Sequence, residues 1–266
     1  MALLHVDFFS DVLGMGMQMD VILPQKTRKQ IGMEGMAEDG SYKTVYLLHG
    51  MSDDHTVWQR RTSIERYMSR LGIAAVMPST HLGFYTDTTY GMRYWTFLSE
   101  ELPRICRELF PRISDKREDT LAAGLSMGGY GAWKLGLGAS DTFGAAASLS
   151  GALDMASTHH RQMVEDNRAM FTGIFGSEER LRGSDNDLLA LAEKLAAKKK
   201  ELPRLYAWCG TEDFLYQDNQ KAWEHVKKLG YDLTCETSPG DHQWKYWDAK
   251  IQDVLRWWLG IDLDLT

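Results

Sequence analysis

Gly124-Leu125-Ser126-Met127-Gly128 constrains this chain most, because it joins an apolar run, Thr120 to Leu125, to a small-residue segment, Met127 to Gly138. The continuous run predicts a strand buried on both faces, and the segment after it predicts a helix. A serine hydroxyl is a weak nucleophile at neutral pH. It becomes useful when a sharp strand-to-helix turn holds it exposed beside a general base, and glycines two residues to either side permit such a turn. With 24 glycines in 266 residues, composition alone can produce this spacing, so the pentapeptide needs support from elsewhere in the chain.

Chain order supplies that support. Leu205 to Cys209 predicts a short buried strand, and Gly210-Thr211-Glu212-Asp213-Phe214 follows it. Asp213 is the candidate acid. Its nearest competitor, Asp218, reads as the N-terminal charge of a helix from about Asp218 to Leu229, and Glu212 is expected to point elsewhere. The strand predicted over Asp232 to Thr237 ends in Ser238-Pro239-Gly240-Asp241-His242, which puts His242 on a loop before the last helix, as candidate base. The other histidines after Ser126 lack a strand end: His225 falls inside a helical pattern and His159-His160 in a polar stretch. Upstream, Thr44 to Leu48 closes in His49-Gly50-Met51, a turn suited to donating a backbone amide, so Met51 and Met127 are the candidate oxyanion-hole donors. A nucleophile followed by an acid and then a histidine is the order of the α/β-hydrolases. Trp58, Phe84, Tyr85 and Phe214 flank these loops as candidate pocket residues, with plain packing as the competing reading.

The remaining pattern predicts an α/β fold in one domain, residues 1–266: a mostly parallel, doubly wound sheet with antiparallel N-terminal strands. Leu3 to Phe9 and Met15 to Leu23 form those early strands, and Gln25 to Tyr42 is a surface connection. Then come a helix (Trp58 to Arg70), a strand (Ile73 to Met77) stopped by Pro78, and a long loop, Ser79 to Gly91, of a length often tied to function. About residues 151–186, after the sixth strand, read as a short polar insertion over the strand ends. Its apolar residues (Met155, Met163, Val164, Met170, Phe171, Ile174, Phe175, Leu181) are scattered among charges without a sustained amphipathic stripe, which makes a poor interfacial lid. The last helix, Trp244 to Leu259, carries an aromatic stripe that reads as core packing.

A formal charge of −7 argues against a nucleic-acid or anionic-membrane partner, and Lys198-Lys199-Lys200 complements the end of a helix, Asp187 to Lys200. Three cysteines, two of them in strand candidates, read as free thiols. The N-terminus lacks the pattern of a signal peptide and no apolar run reaches membrane-spanning length, so a cytoplasmic protein is expected. Neither Asp53-Asp54-His55 nor Asp154 with His159-His160 has a recognised metal-ligand spacing. No cofactor or metal is called for. The expected partner is a small molecule, which the resemblance below makes an ester, and a homo-oligomer stays open.

Together with the elbow, the strings Tyr46-Leu47-Leu48-His49-Gly50-Met51-Ser52, Tyr85-Thr86-Asp87-Thr88, Ser114 to Arg117, Ala123 to Gly131, Ala207-Trp208-Cys209-Gly210 and Asp213-Phe214-Leu215-Tyr216 make nearly the whole chain resemble the esterase D-like branch of the α/β-hydrolases, above all the bacterial tributyrin esterases. The resemblance implies a serine carboxylesterase for short-chain acyl esters, with Ser126, Asp213 and His242 in the catalytic roles. S-formylglutathione hydrolases, which are related, commonly carry His where this chain has Tyr130, a departure that weighs against a glutathione thioester. The antigen 85-type mycolyltransferases share the architecture. Three readings therefore stand: an esterase, an acyltransferase or thioesterase on the same triad, and a non-catalytic binding protein on a hydrolase scaffold. Feruloyl and acetylated-sugar esters are among the substrates left open.

Overall fold

In a computed structural model, which describes residues 1–27, 29, 31–32, 39–157, 161–198 and 200–265, eight strands form one sheet in the order β1-β2-β4-β3-β5-β6-β7-β8. β1 (Ala2–Ser10) and β2 (Met15–Leu23) make an antiparallel hairpin, and β2 also runs antiparallel to β4 (Ala74–Pro78). From β4 onward every pairing is parallel, through β3 (Thr44–Leu48), β5 (Thr120–Leu125), β6 (Ala145–Leu149), β7 (Arg204–Gly210) and β8 (Leu233–Ser238). The continuous apolar character of β3, β4, β5 and β6 follows from helices covering both faces of the sheet, whereas β1, at the edge, alternates in exposure.

One face packs on α4 (Leu102–Leu109), α5 (Met127–Gly138), α9 (Leu188–Ala197) and α10 (Tyr216–Lys228). The other packs on α1 (Val57–Arg61), α2 (Ile64–Leu71) and α11 (Trp244–Leu259), whose stripe Trp247, Ile251, Val254, Leu255 and Trp258 is buried as expected. Ahead of α4, the short α3 (Tyr94–Thr96) passes through a π-helical turn that buries Glu101. That carboxylate accepts hydrogen bonds from Ser10 Oγ and from the Asp11 and Val12 amides, and so anchors the β1–β2 hairpin to the helical layer.

Two expectations change. The helix expected over Trp58 to Arg70 is two helices, broken at Thr62, which is extended (φ −135°, ψ 173°). The Thr62 hydroxyl donates to Trp58 O and accepts from the Ile64 amide, while Asp248 of α11 accepts from the Ser63 amide and from Tyr67. The insertion occupies the expected place but is not merely polar: it folds into α6 (Arg161–Asp166), α7 (Arg168–Phe175) and α8 (Glu178–Leu181). Phe171, Ile174 and Phe175, at i, i+3 and i+4, give α7 a buried stripe. The Thr89 and Tyr90 amides donate to Ile174 O and Gly173 O, so the 79–91 loop is clasped to α7. His159 and His160 lie outside the described residues.

Parallel register brings the strand ends together. Leu48 pairs with Gly124, Leu125 with Leu149, Leu149 with Trp208, and Gly210 with Ser238, so the turns after β3, β5, β6, β7 and β8 open at one edge of the sheet. Ligands of open α/β sheets bind outside the carboxyl ends of the strands.

Candidate active site

Ser126 links β5 to α5 with φ 53° and ψ −119°, a strained backbone for a residue with a Cβ. It is held there by its amide donating to Leu149 O and by its carbonyl accepting from the Tyr130 and Ala152 amides. The two flanking glycines are explained by contact. A Cβ on Gly124 would lie 2.3 Å from Gly128 O, and one on Gly128 would lie 2.2 Å from Leu48 O. Strand, helix and the end of β3 thus meet backbone to backbone, which aims the serine side chain outward.

Asp213 and His242 come together across the β7 and β8 loops. Asp213 is almost fully buried; Oδ1 accepts from the Leu215 amide at 2.9 Å and Oδ2 lies 2.8 Å from His242 Nδ1. Burial alone would raise the Asp213 pKa. The hydrogen bond and charge of His242, the Leu215 amide and the Ser150 hydroxyl outweigh it and leave the carboxyl below its ordinary range. An ionised Asp213 accepts the Nδ1 proton, which leaves the His242 Nε2 lone pair free to act as a base. Phe214 (4.7 Å between ring centroids) and Trp247 (4.9 Å) bracket the imidazole, and Trp247 Nε1 donates to Ser150 Oγ. Glu212 points away, as expected, and ties the two loops by accepting from the Gly240 amide. Asp218 lies in the first turn of α10, the place expected of an N-terminal helix charge, and is buried there.

The turn after β3 is braced from three sides. His49 Nε2 accepts from the Thr80 amide, so its Nδ1 proton is donated to Gly50 O. Burial pushes the His49 pKa down to about 4 against the opposing influence of Gly50 O and Asp54, keeping the ring neutral in this tautomer. Tyr85 OH donates to His49 O and Trp58 Nε1 to Leu48 O. Trp58 and Tyr85 therefore do not line the cavity as expected. Both rings are buried behind the turn, because each carries a polar tip that a strand-end carbonyl satisfies. Phe84 and Phe214 do line it.

The cavity measures about 370 Å³, and its walls include Met51, Asp53, Phe84, Ser126, Met127, Phe214, His242 and Trp244. Phe84 forms its inner wall in a cluster with the rings of Tyr130, Phe171 and Phe175. Tyr130, the position set against a glutathione thioester, sits behind Phe84 and donates to Asn186 O, so it meets no substrate directly. Sequence reasoning missed Ser150 and Trp244, weighed Asp53 only as a metal ligand, and took Trp247 for packing alone. Ser150 follows β6 and could have been sought by its strand-end position, but nothing local marks the others. Met127 opens α5, where the first amides have no partner within the helix, and Met51 follows the braced turn. The set can hold a carbonyl carbon near a serine oxygen, a base and two backbone donors.

A family model described as "Putative esterase" matches residues 10–258. The chain is 32% identical to an acetyl esterase of Caldicellulosiruptor saccharolyticus, covering 97% of this chain and 98% of that one. Over 78% of this chain and 70% of its own, a diacylglycerol acyltransferase/mycolyltransferase Ag85A of Mycobacterium gordonae is 28% identical. Among solved structures, the fluorophosphonate-binding serine hydrolase FphF of Staphylococcus aureus superposes with a TM-score of 0.86 at 32% identity, covering 97% of this chain and 98% of that one. The S-formylglutathione hydrolase FrmB of the same organism gives 0.83 at 33%, with the same coverage. The chain thus belongs to this esterase family, as a serine ester hydrolase of the α/β-hydrolase fold.

Proposed function

We propose that the protein is a carboxylesterase for short-chain acyl esters of small molecules, working through an acyl-enzyme on Ser126. His242 removes the Ser126 proton as the hydroxyl attacks the ester carbonyl, and Asp213 orients and stabilises the imidazolium. The Met51 and Met127 amides hold the oxyanion. His242 then returns the proton to the leaving alcohol and activates the water that frees the acid. The observation that carries this reading is the 2.8 Å Asp213–His242 hydrogen bond beside a cavity that Ser126 also lines. The aromatic wall at Phe84 favours short acyl chains, and an insertion fixed through buried Phe171 and Phe175 favours dissolved substrate over an oil surface. Among the described residues no helix is long and apolar enough to cross a membrane. With it we propose a single domain over residues 1–266 and a cytoplasmic setting, in keeping with Cys106, Cys209 and Cys235 as free thiols.

The similarity to Ag85A favours acyl transfer as a second reading, since the same triad can pass its acyl group to an alcohol. The test is a panel of p-nitrophenyl acetate, butyrate, octanoate and palmitate with S-formylglutathione, each with and without added alcohols. Rates should peak at acetate to butyrate, with free acid as product, and Ser126→Ala should lose about 10⁶ in kcat. A preference for palmitate, or transfer product dominating at low acceptor concentration, contradicts the esterase reading.

A further inference from the structure

Of two adjacent carboxylates after the oxyanion turn, one is hydrogen-bonded within the protein and the other accepts no hydrogen bond from a described residue. Asp54 Oδ1 accepts from the amide and hydroxyl of Thr56 and lies 3.6 Å from Arg60. The Asp53 amide donates to Gly50 O, but its carboxylate forms no hydrogen bond or ion pair with a described residue; the residue is half-buried and lines the catalytic cavity. Oδ2 sits close against Gly50, 3.4 Å from where a Cβ would stand on that residue. This position is costly in two ways. Burial raises the Asp53 pKa, an effect that Arg60 and Arg61 offset only in part. A negative charge beside the turn that offers the Met51 amide also opposes the oxyanion which forms there. Both costs fall when a substrate brings hydrogen-bond donors to Asp53.

We propose that Asp53 is a specificity-determining residue that accepts hydrogen bonds from hydroxyl groups on the alcohol part of the ester, so that the preferred substrates are short acyl esters of sugars or similar polyols. Trp244 and Phe214 line the same cavity, and aromatic faces beside a carboxylate suit the apolar faces and hydroxyls of a sugar ring. A cationic alcohol is the other chemistry a carboxylate could read. It is disfavoured because the charges of Arg60 and Arg61 reach Asp53.

This inference rests on the esterase reading, and the experiment separates the two. Values of kcat/KM are measured for 6-O-acetylglucose, cyclohexyl acetate, acetylcholine and p-nitrophenyl acetate with wild type, Asp53→Asn and Asp53→Leu. Wild type should prefer the acetylated sugar to cyclohexyl acetate by about 10–100-fold, the range of one hydrogen bond to a charged group. Asp53→Leu should lower the sugar ester at least tenfold and raise p-nitrophenyl acetate a few-fold, because the opposing charge is gone. Asp53→Asn keeps an acceptor and should retain most of the preference. A merely structural role would lower every substrate together and overturns the proposal, as does a sugar preference that survives in Asp53→Leu or is absent from wild type. Acetylcholine as the best substrate, lost in Asp53→Asn, overturns it in favour of a cation. No turnover of any ester overturns the esterase reading itself.

Discussion

Replacing Gly128 with alanine sets two effects of opposite sign against each other. Gly128 lies in the first turn of α5, where alanine is the better helix former by about 1 kcal/mol, so propensity alone predicts stabilisation. The added Cβ, however, would stand 2.2 Å from Leu48 O and 2.7 Å from His49 O, both backbone atoms, and ordinary contact begins near 3.4 Å. Something must move by about 1 Å, roughly the misplacement that costs 10²-fold in rate. β3 lies between β4 and β5 inside the sheet, so the start of α5 is the part that gives, and it carries Ser126 and the Met127 amide with it. Overpacking of this kind costs about 1–3 kcal/mol, more than the propensity gain. Gly128→Ala should therefore lower Tm and reduce kcat on p-nitrophenyl butyrate about 10²-fold. Gly16→Ala, where an added Cβ meets nothing within 4 Å, is the control. A Gly128→Ala enzyme with kcat within threefold of wild type and an unchanged or higher Tm would refute the contact argument.

Asp213→Asn should keep the fold yet favour the wrong His242 tautomer, lowering kcat roughly 10⁴-fold; a loss under tenfold in a steady-state assay would show that Asp213 does not orient the base. His49 gives a pH dependence. Its folded pKa of about 4 lies below the ordinary 6.5, so between these values the unfolded chain binds the proton and the folded one does not. The His49 contribution to stability should fall as pH drops through that window, by roughly 3 kcal/mol at most, and be constant above it. Urea midpoints at pH 7 and pH 4.5 should show wild type losing more than His49→Gln, and equal losses would contradict the assignment. Lys134, fully buried on α5, donates to Tyr85 O, Thr86 Oγ1 and Asn186 Oδ1, binding the loop that carries Phe84 to the segment after α8. Lys134→Met should take a buried donor from each of those acceptors, cost about 1–3 kcal/mol in a thermal or urea melt, and raise KM for butyrate esters; an unchanged melt would show that the loop is held without Lys134, by its ring contacts and the Thr86–Asn186 hydrogen bond.

The parts of the site legible in the sequence are those fixed by short-range backbone demands. Ser126 is marked by glycines that a strand and helix in contact require, and Asp213 and His242 by following the next strands in order. The pocket was less legible, because the side of a strand-end turn that an aromatic residue faces is decided by long-range partners. Trp58 and Tyr85 turn toward Leu48 O and His49 O, and no periodicity records that choice. The break at Thr62 likewise depends on Asp248, a residue 185 positions from Ser63. In the insertion, Phe171, Ile174 and Phe175 did carry a helical spacing. It spans a single short helix, so the surrounding charges hid it in a reading that sought a longer stripe.

The most direct test of the mechanism is to trap its covalent intermediate. Wild type is mixed with p-nitrophenyl acetate, quenched in acid during turnover, digested and mapped by mass spectrometry, with p-nitrophenol release followed from the first milliseconds. We expect one acetyl group per chain, on the peptide containing Ser126 and on its hydroxyl, and no adduct in Ser126→Ala. Asp213→Asn should form the same adduct far more slowly. Turnover of the ester with Ser126 unmodified at every quench time and an acetyl group on another residue, or full activity retained in Ser126→Ala, would contradict an acyl-enzyme at this serine.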